Sequence, residues 1–200
     1  MSHARTAIRT YGVALRAVLL TTVLLGVVYT TVVTVVGQLV LPWQANGSPL
    51  TVDGRAVGSA LIGQSFADEN GDPLPEWFQS RPSAAGYDGG ASTGSNHGPE
   101  NEDLIDAITD RRARIAGFDG VSPDEIPADA LTASGSGLDP HISPPYALLQ
   151  APRVAEARGL PVDVVRALVE SHIQQRDLGY LGEQTVNVLQ LNIDLQKLED

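Results

Sequence analysis

The chain has 200 residues, with 24 Asp and Glu against 13 Lys and Arg, and no cysteine. The missing thiols exclude disulfides, cysteine nucleophiles and Cys-ligated zinc, and a net charge of −11 argues against a nucleic-acid surface, whose phosphates it would repel. Lys197 is the sole lysine, so P-loop and Schiff-base chemistry are absent from the rest of the chain.

Charge is divided along the chain. Residues 1–52 contain no Asp or Glu, only Arg5, Arg9 and Arg16, and all 24 acidic residues follow, with ten Arg and Lys. Residues 17–41 (AVLLTTVLLGVVYTTVVTVVGQLVL) carry no formal charge. About 20 such residues cross a hydrocarbon core about 30 Å thick, and a helix satisfies its own backbone there. The stretch exceeds the apolar region of a cleaved signal peptide, about 7–15 residues. LPWQA (41–45) is also a poor cleavage site, so a retained anchor in the lipid bilayer is expected. Trp43 at its edge suits the headgroup region. No positive residue follows the span until Arg55. The positive-inside rule then places residues 1–16 in the cytoplasm and residues 44–200 outside, on a single-pass protein of the cell membrane.

After a polar linker (44–49), LTV and RAV around Asp53-Gly54 predict a two-residue hairpin. Residues 58–66 continue as an apolar strand or turn. Residues 80–99 form a long Gly/Ser/Pro loop, a length that is usually functional or disordered. A helix is expected over 100–116, with Pro99 at its start and Glu100, Glu102 and Asp103 at its positive end. Residues 117–129 read as an acidic loop, and 132–144 as an irregular segment rich in backbone-bonding groups. Ser143 is a candidate N-cap, and Pro152 should break the helix that follows. Gly159 reads as a stop, and Pro161 opens a helix to about Gln174. Alternation suggests a strand at 186–188, whereas 191–198 could be helical. The fold class is α+β: one N-terminal transmembrane helix, then a single small soluble α+β domain.

GSALIGQSF (58–66), SRPSAAGY (80–87), GSNHGPEN (94–101), TASGSGLDPHISP (132–144), RVAEARGL (153–160) and VNVLQLN (186–192) occur in one order. Together they resemble the KdpC family, a component of the Kdp potassium-transporting P-type ATPase, over about nine-tenths of the chain. Trp77, His97 and Thr185 depart from the family's usual residues without removing a chemical group. The resemblance implies a non-catalytic accessory subunit of an ATP-driven potassium uptake complex. Its partners would be a channel-like potassium-translocating subunit, a P-type ATPase subunit carrying the phosphorylated aspartate, and a small membrane peptide. It further implies a role in assembly and a catalytic-chaperone role that raises the ATPase subunit's affinity for ATP, with Gln64 in nucleotide contact. That contact conflicts with the outward body, because ATP is cytoplasmic, and no Gly-Lys-Ser/Thr phosphate cradle is present.

Ser134, Ser136, Asp139 and His141 invite a hydrolase reading, but no Gly-x-Ser-x-Gly elbow accompanies them. They fit loop scaffolding better. A stand-alone anchored binding or hydrolytic domain is the alternative to a pump component. His97, His141 and His172 lack helical metal-site spacing, so no metal is expected. Asn96, Asn101, Asn187 and Asn192 fit backbone satisfaction in loops. In the span, Gly26 and Gly37 are the small residues at which another helix could approach. In the body, Arg81, Asn96, His97, Asp139 and His141 are candidate partner contacts; the competing reading pairs Arg81 with Asp139 internally.

Overall fold

The computed structural model describes residues 2–198, and of residues 2–6 only the backbone. Met1, Glu199 and Asp200, the outermost residues of the expected tail and body, lie outside it, as does the Arg5 side chain. The chain divides into two compact units, Met1–Ser48 and Pro49–Asp200.

The first unit is helical: α1 (Ser2–Thr21), a π-helical stretch (Thr22–Tyr29), α2 (Thr30–Val40) and the single turn α3 (Pro42–Ala45). The run Ala7–Val40 is long and apolar enough to cross a membrane. Hydropathy predicts a uniform helix, and the centre differs. The Thr21 hydroxyl donates to the Ala17 and Val18 carbonyls, and that of Thr30 to the Leu25 carbonyl five residues back. Such back-bonding competes with the main-chain ladder, and Gly26 within the stretch adds no side chain to resist a wider turn. Leu41 ends α2, with Pro42 opening α3.

In the second unit β1 (Pro49–Val52) pairs antiparallel with β2 (Arg55–Ser59). Asp53 and Gly54 turn between them with φ of +51° and +75°, the two positive values that a type I′ turn requires. Next comes α4 (Glu102–Asp119), capped by the Asn101 side chain, which accepts the Leu104 N–H. It runs past the expected end because Gly117 fits within the helix; the left-handed residue that stops it is Gly120. The short α5 (Ala128–Leu131) leads to β3 (His141–Ile142), α6 (Pro144–Arg158), α7 (Val162–Ser171), β4 (Ile173–Gln174), β5 (Thr185–Asn187) and α8 (Val188–Gln196). β5 lies between β3 and β4, antiparallel to both.

Three expectations need correction. Pro152 does not break α6: it sits on the exposed side, while burial of Ala147, Gln150, Ala151, Val154 and Ala155 holds the helix through it. α7 stops at Ser171 rather than near 174, because Ile173 and Gln174 leave to pair with β5. α8 begins at Val188, where Asn187 caps it through the Gln190 N–H.

The core joins Phe78, Ile142, Tyr146, Val154, Val165, Val169, Val186, Leu191 and Leu195. Phe78 enters it from a segment with no regular structure, so the strap's backbone must find other partners. Side chains supply them. The Asn192 amide accepts the Phe78 N–H at 3.0 Å and donates to its carbonyl at 3.0 Å. Gln150 does the same for Gln79, at 2.7 and 3.1 Å. Arg153 donates to the Pro75 and Trp77 carbonyls, and Arg158 to that of Glu76. Successive carbonyls from Pro75 to Gln79 thus accept from side chains of α6 and α8.

Asn192→Leu keeps the volume but leaves a buried N–H and a buried carbonyl without partners, at about 1–3 kcal/mol each. Chemical unfolding of the full chain in detergent should show a loss of about 3 kcal/mol. A loss below about 1 kcal/mol, one ordinary hydrogen bond, would show that the strap does not depend on this amide.

Candidate functional site

The motif segments 58–66, 80–99 and 132–144 meet and bond backbone to backbone. The Gly63 N–H donates to the Leu138 carbonyl at 2.8 Å, and the Thr93 N–H to that of Ser136 at 3.0 Å. Ser83 does triple service: its hydroxyl donates to the Gly137 carbonyl at 2.5 Å and accepts the N–H groups of Ala85 and Tyr87. Three glycines make this approach possible, Gly94 among them, where a Cβ would stand 2.9 Å from the Gly135 carbonyl oxygen. A Cβ on Gly63 would stand 2.6 Å from the Asp139 carbonyl oxygen. One on Gly137, whose φ is +68°, would stand 2.5 Å from that of Thr93.

Arg81 sits at the centre. It pairs with Asp139 at 3.0 Å and donates to the Thr132 carbonyl at 3.2 Å. The Tyr87 hydroxyl donates to the Arg81 carbonyl, and burial pushes that phenol up to about 12. The other Asp139 oxygen accepts the His141 N–H at 3.0 Å, with the imidazole Nδ1 at 3.4 Å. Burial acts to raise the Asp139 carboxyl, but the bonds from His141 and Arg81 outweigh it and hold it below 3.8.

The structure therefore brings Arg81, Asp139 and His141 together and spends their polar groups largely inside the body. Asn96 and His97 stand apart from that cluster, and both are exposed. Asn96 has φ of +55° and its amide donates to the Gly94 carbonyl. Ser134 and Ser136 accept the Gly137 and Leu138 N–H groups, the ordinary work of turn hydroxyls. Among the described residues, no three of His, Asp and Glu are placed to hold a metal ion. Gly26 faces open space, and a Cβ on Gly37 would make ordinary contact with Ala45 at 3.7 Å.

Gln64 lies apart from this cluster. Its amide donates to the Val57 carbonyl at 2.8 Å, its own carbonyl accepts the Ser80 hydroxyl, and its side chain covers Gly58. It lines an open cavity of about 490 Å³ with Trp77 and Asn192. A second cavity, of about 480 Å³, is bordered by Arg81, Tyr87, Arg111, Arg114 and Asp119.

The family model described as "KdpC: K+-transporting ATPase, c chain" matches residues 11–197. The chain belongs to the KdpC family. A potassium-transporting ATPase KdpC subunit of Kineococcus radiotolerans is 55% identical over 174 residues, 86% of this chain and 85% of the relative. One from Caulobacter vibrioides is 53% identical over 196 residues, covering 96% and 91%. One from Mycobacterium tuberculosis is 48% identical over 188 residues, covering 92% and 96%.

In this KdpC chain the residues that organise the motif region extend beyond those the loops advertise. Gln150 and Arg153 stand on a helix whose apolar spacing gives no hint of inward amides or guanidiniums. Arg153 pairs with Asp119 at 2.7 Å, both side chains nearly solvent-free, and its guanidinium lies 4.4 Å over the Phe118 ring. Burial pushes the Asp119 carboxyl up, and Arg153 draws it only partly back. The one available signal was RVAEARGL itself, where Arg153 and Arg158 sit on a helix otherwise rich in alanine.

Two measurements test the central pair. Arg81→Ala leaves Asp139 half-buried without its cation, so thermal unfolding should drop by about 2 kcal/mol, or about 5 °C. Unchanged unfolding with impaired complex recovery would instead place Arg81 against a partner. Because the Asp139 carboxyl is lowered in the folded body, its stabilisation is complete above the ordinary 3.8 and is lost as pH falls through the folded value. Asp139→Asn should therefore flatten part of the stability loss between about pH 5 and pH 2. An identical acid profile in the variant would remove Asp139 from that role.

Proposed function

We propose that this chain is the accessory KdpC component of an ATP-driven potassium pump, anchored with residues 1–16 in the cytoplasm and its body outside. The observation that carries the reading is the family match over residues 11–197, joined to a long apolar helix whose uncharged stretch, 17–41, follows three arginines. Membership of the pump follows from the family; catalysis belongs to another chain. The body and the span contribute to assembly by binding the potassium-translocating subunit, the ATPase subunit and the small membrane peptide. The chain raises the ATPase subunit's affinity for ATP through that subunit's conformation. An indirect effect reconciles a chaperone role with an external body. The Gln64 amide, bonded to the Val57 carbonyl, supports indirect action over a nucleotide contact of its own.

Orientation decides between indirect and direct action. An enzyme reporter active only outside the cytoplasm, fused at the C-terminus, should be active. Activity of a cytoplasmic reporter alone would reverse the orientation and restore direct ATP contact by Gln64. For the span, Gly26→Leu places a bulky side chain where the structure leaves open space. Co-purification with the pump should weaken while membrane insertion is unaffected, because small residues let helices approach closely in lipid. Replacement of the whole span by an unrelated helix without effect on recovery would show that it serves only as an anchor.

A further inference from the structure

β4 and β5 pair antiparallel with Gln174 opposite Thr185, a register that two residues could close. Ten residues, 175–184, intervene instead. They are not slack. The Asp177 N–H donates to the Leu181 carbonyl at 3.0 Å, and the Leu181 N–H returns to the Asp177 carbonyl at 2.9 Å. Further down, Gln184 bonds Gln175 at 2.6 Å and Arg176 pairs with Glu183. At the tip of this braced loop Leu178 is 81% exposed, Tyr180 70% and Leu181 49%. Leu178 holds φ of +53°, a conformation that a bulky side chain avoids unless its surroundings impose it.

A loop that only connects strands gains nothing from rigid bracing around exposed leucine and tyrosine. A docking anchor gains from both, since a preordered loop loses little freedom on binding and Tyr is enriched at binding hot spots. We infer that residues 177–182 form the tip by which the body docks on the extracytoplasmic face of another pump subunit, into an apolar pocket with a basic rim. The inference rests on the reading of the chain as a pump component with its body outside. Charge selects the occupant. Glu183 is paired with Arg176, Asp177 stands exposed at the tip, and the body carries 24 acidic residues against ten basic ones. Anionic headgroups would be repelled from it, whereas a protein rim bearing Lys or Arg would be attracted. The polar cluster at Arg81 is an inferior candidate, because both terminal nitrogens of Arg81 are bonded within the body and its Nε is buried.

The test uses the full chain expressed with the other subunits in native membranes. Leu178→Ser combined with Tyr180→Ser should lower recovery of the complex at least tenfold while the unfolding midpoint of the chain is unchanged. Independently, a photoreactive benzoyl-phenylalanine at position 180 should yield an adduct with another pump subunit. Unchanged recovery in the double variant, or adducts to phospholipid alone, would overturn the inference. If the double variant fails to fold, the photoadduct decides. Failure of the wild-type chain to co-purify with pump subunits would overturn the underlying reading of the chain as a pump component, a result distinct from loss in the loop variant alone.

Discussion

Burying Phe78 is the constraint around which the body is arranged. Its ring is fully enclosed, yet the strap that delivers it belongs to no sheet or helix, and a buried backbone without partners is costly. Asn192 and Gln150 act as two short pieces of imitation strand, each taking one residue's N–H and carbonyl. This fixes α8 and α6 on the strap through bonds that depend on direction, where apolar contact alone would tolerate sliding. Arg153 extends the arrangement to α4 through Asp119. Desolvating that pair costs energy, as the raised Asp119 carboxyl records. The carbonyls of Pro75 and Trp77 and the face of Phe118 share in offsetting it.

The same device recurs where the motif loops meet. Segments 80–99 and 132–144 are largely without regular structure, and short side chains stand in for a ladder. Ser83 serves three backbone groups, and Ser134 and Ser136 close adjoining turns. Main chains come close enough only because Gly63, Gly94 and Gly137 have no Cβ. The serine- and glycine-rich composition, which in a disordered linker signals slack, here permits close packing.

The span, the Asp53-Gly54 hairpin, the caps at Ser143 and Gly159 and the α+β class were legible in the sequence, because each rests on local chemistry within a few residues. Pro152 misled because its local penalty was outweighed by burial along the far side of α6. The ends of α4 and α7 were missed for related reasons. One depends on which of two glycines adopts positive φ, the other on a strand pairing with residues beyond an intervening loop. At the site, Arg81 with Asp139 was legible as one of two readings, whereas Gln150 was not. An amide buried on an apolar helix face looks in sequence like an ordinary interruption of the stripe. Only the strap, seventy-one positions earlier, explains it.

A body tied this way has little polar capacity left over for partners in its interior loops. Its bonds run from side chain to backbone across long separations. The loop at 175–184 is mounted on this frame directly, since it leads into β5, whose Val186 and Asn187 are buried and whose Asn187 amide bonds the Ala60 carbonyl. Asn187 thus joins the base of the loop to the hairpin side, and Asn192 of α8 joins that helix to the strap. This continuity from the loop base to the strap is set by individual bonded residues. The buried asparagines and glutamine specify it more sharply than the hydrophobic core does, because apolar packing tolerates exchange and these bonded pairs do not.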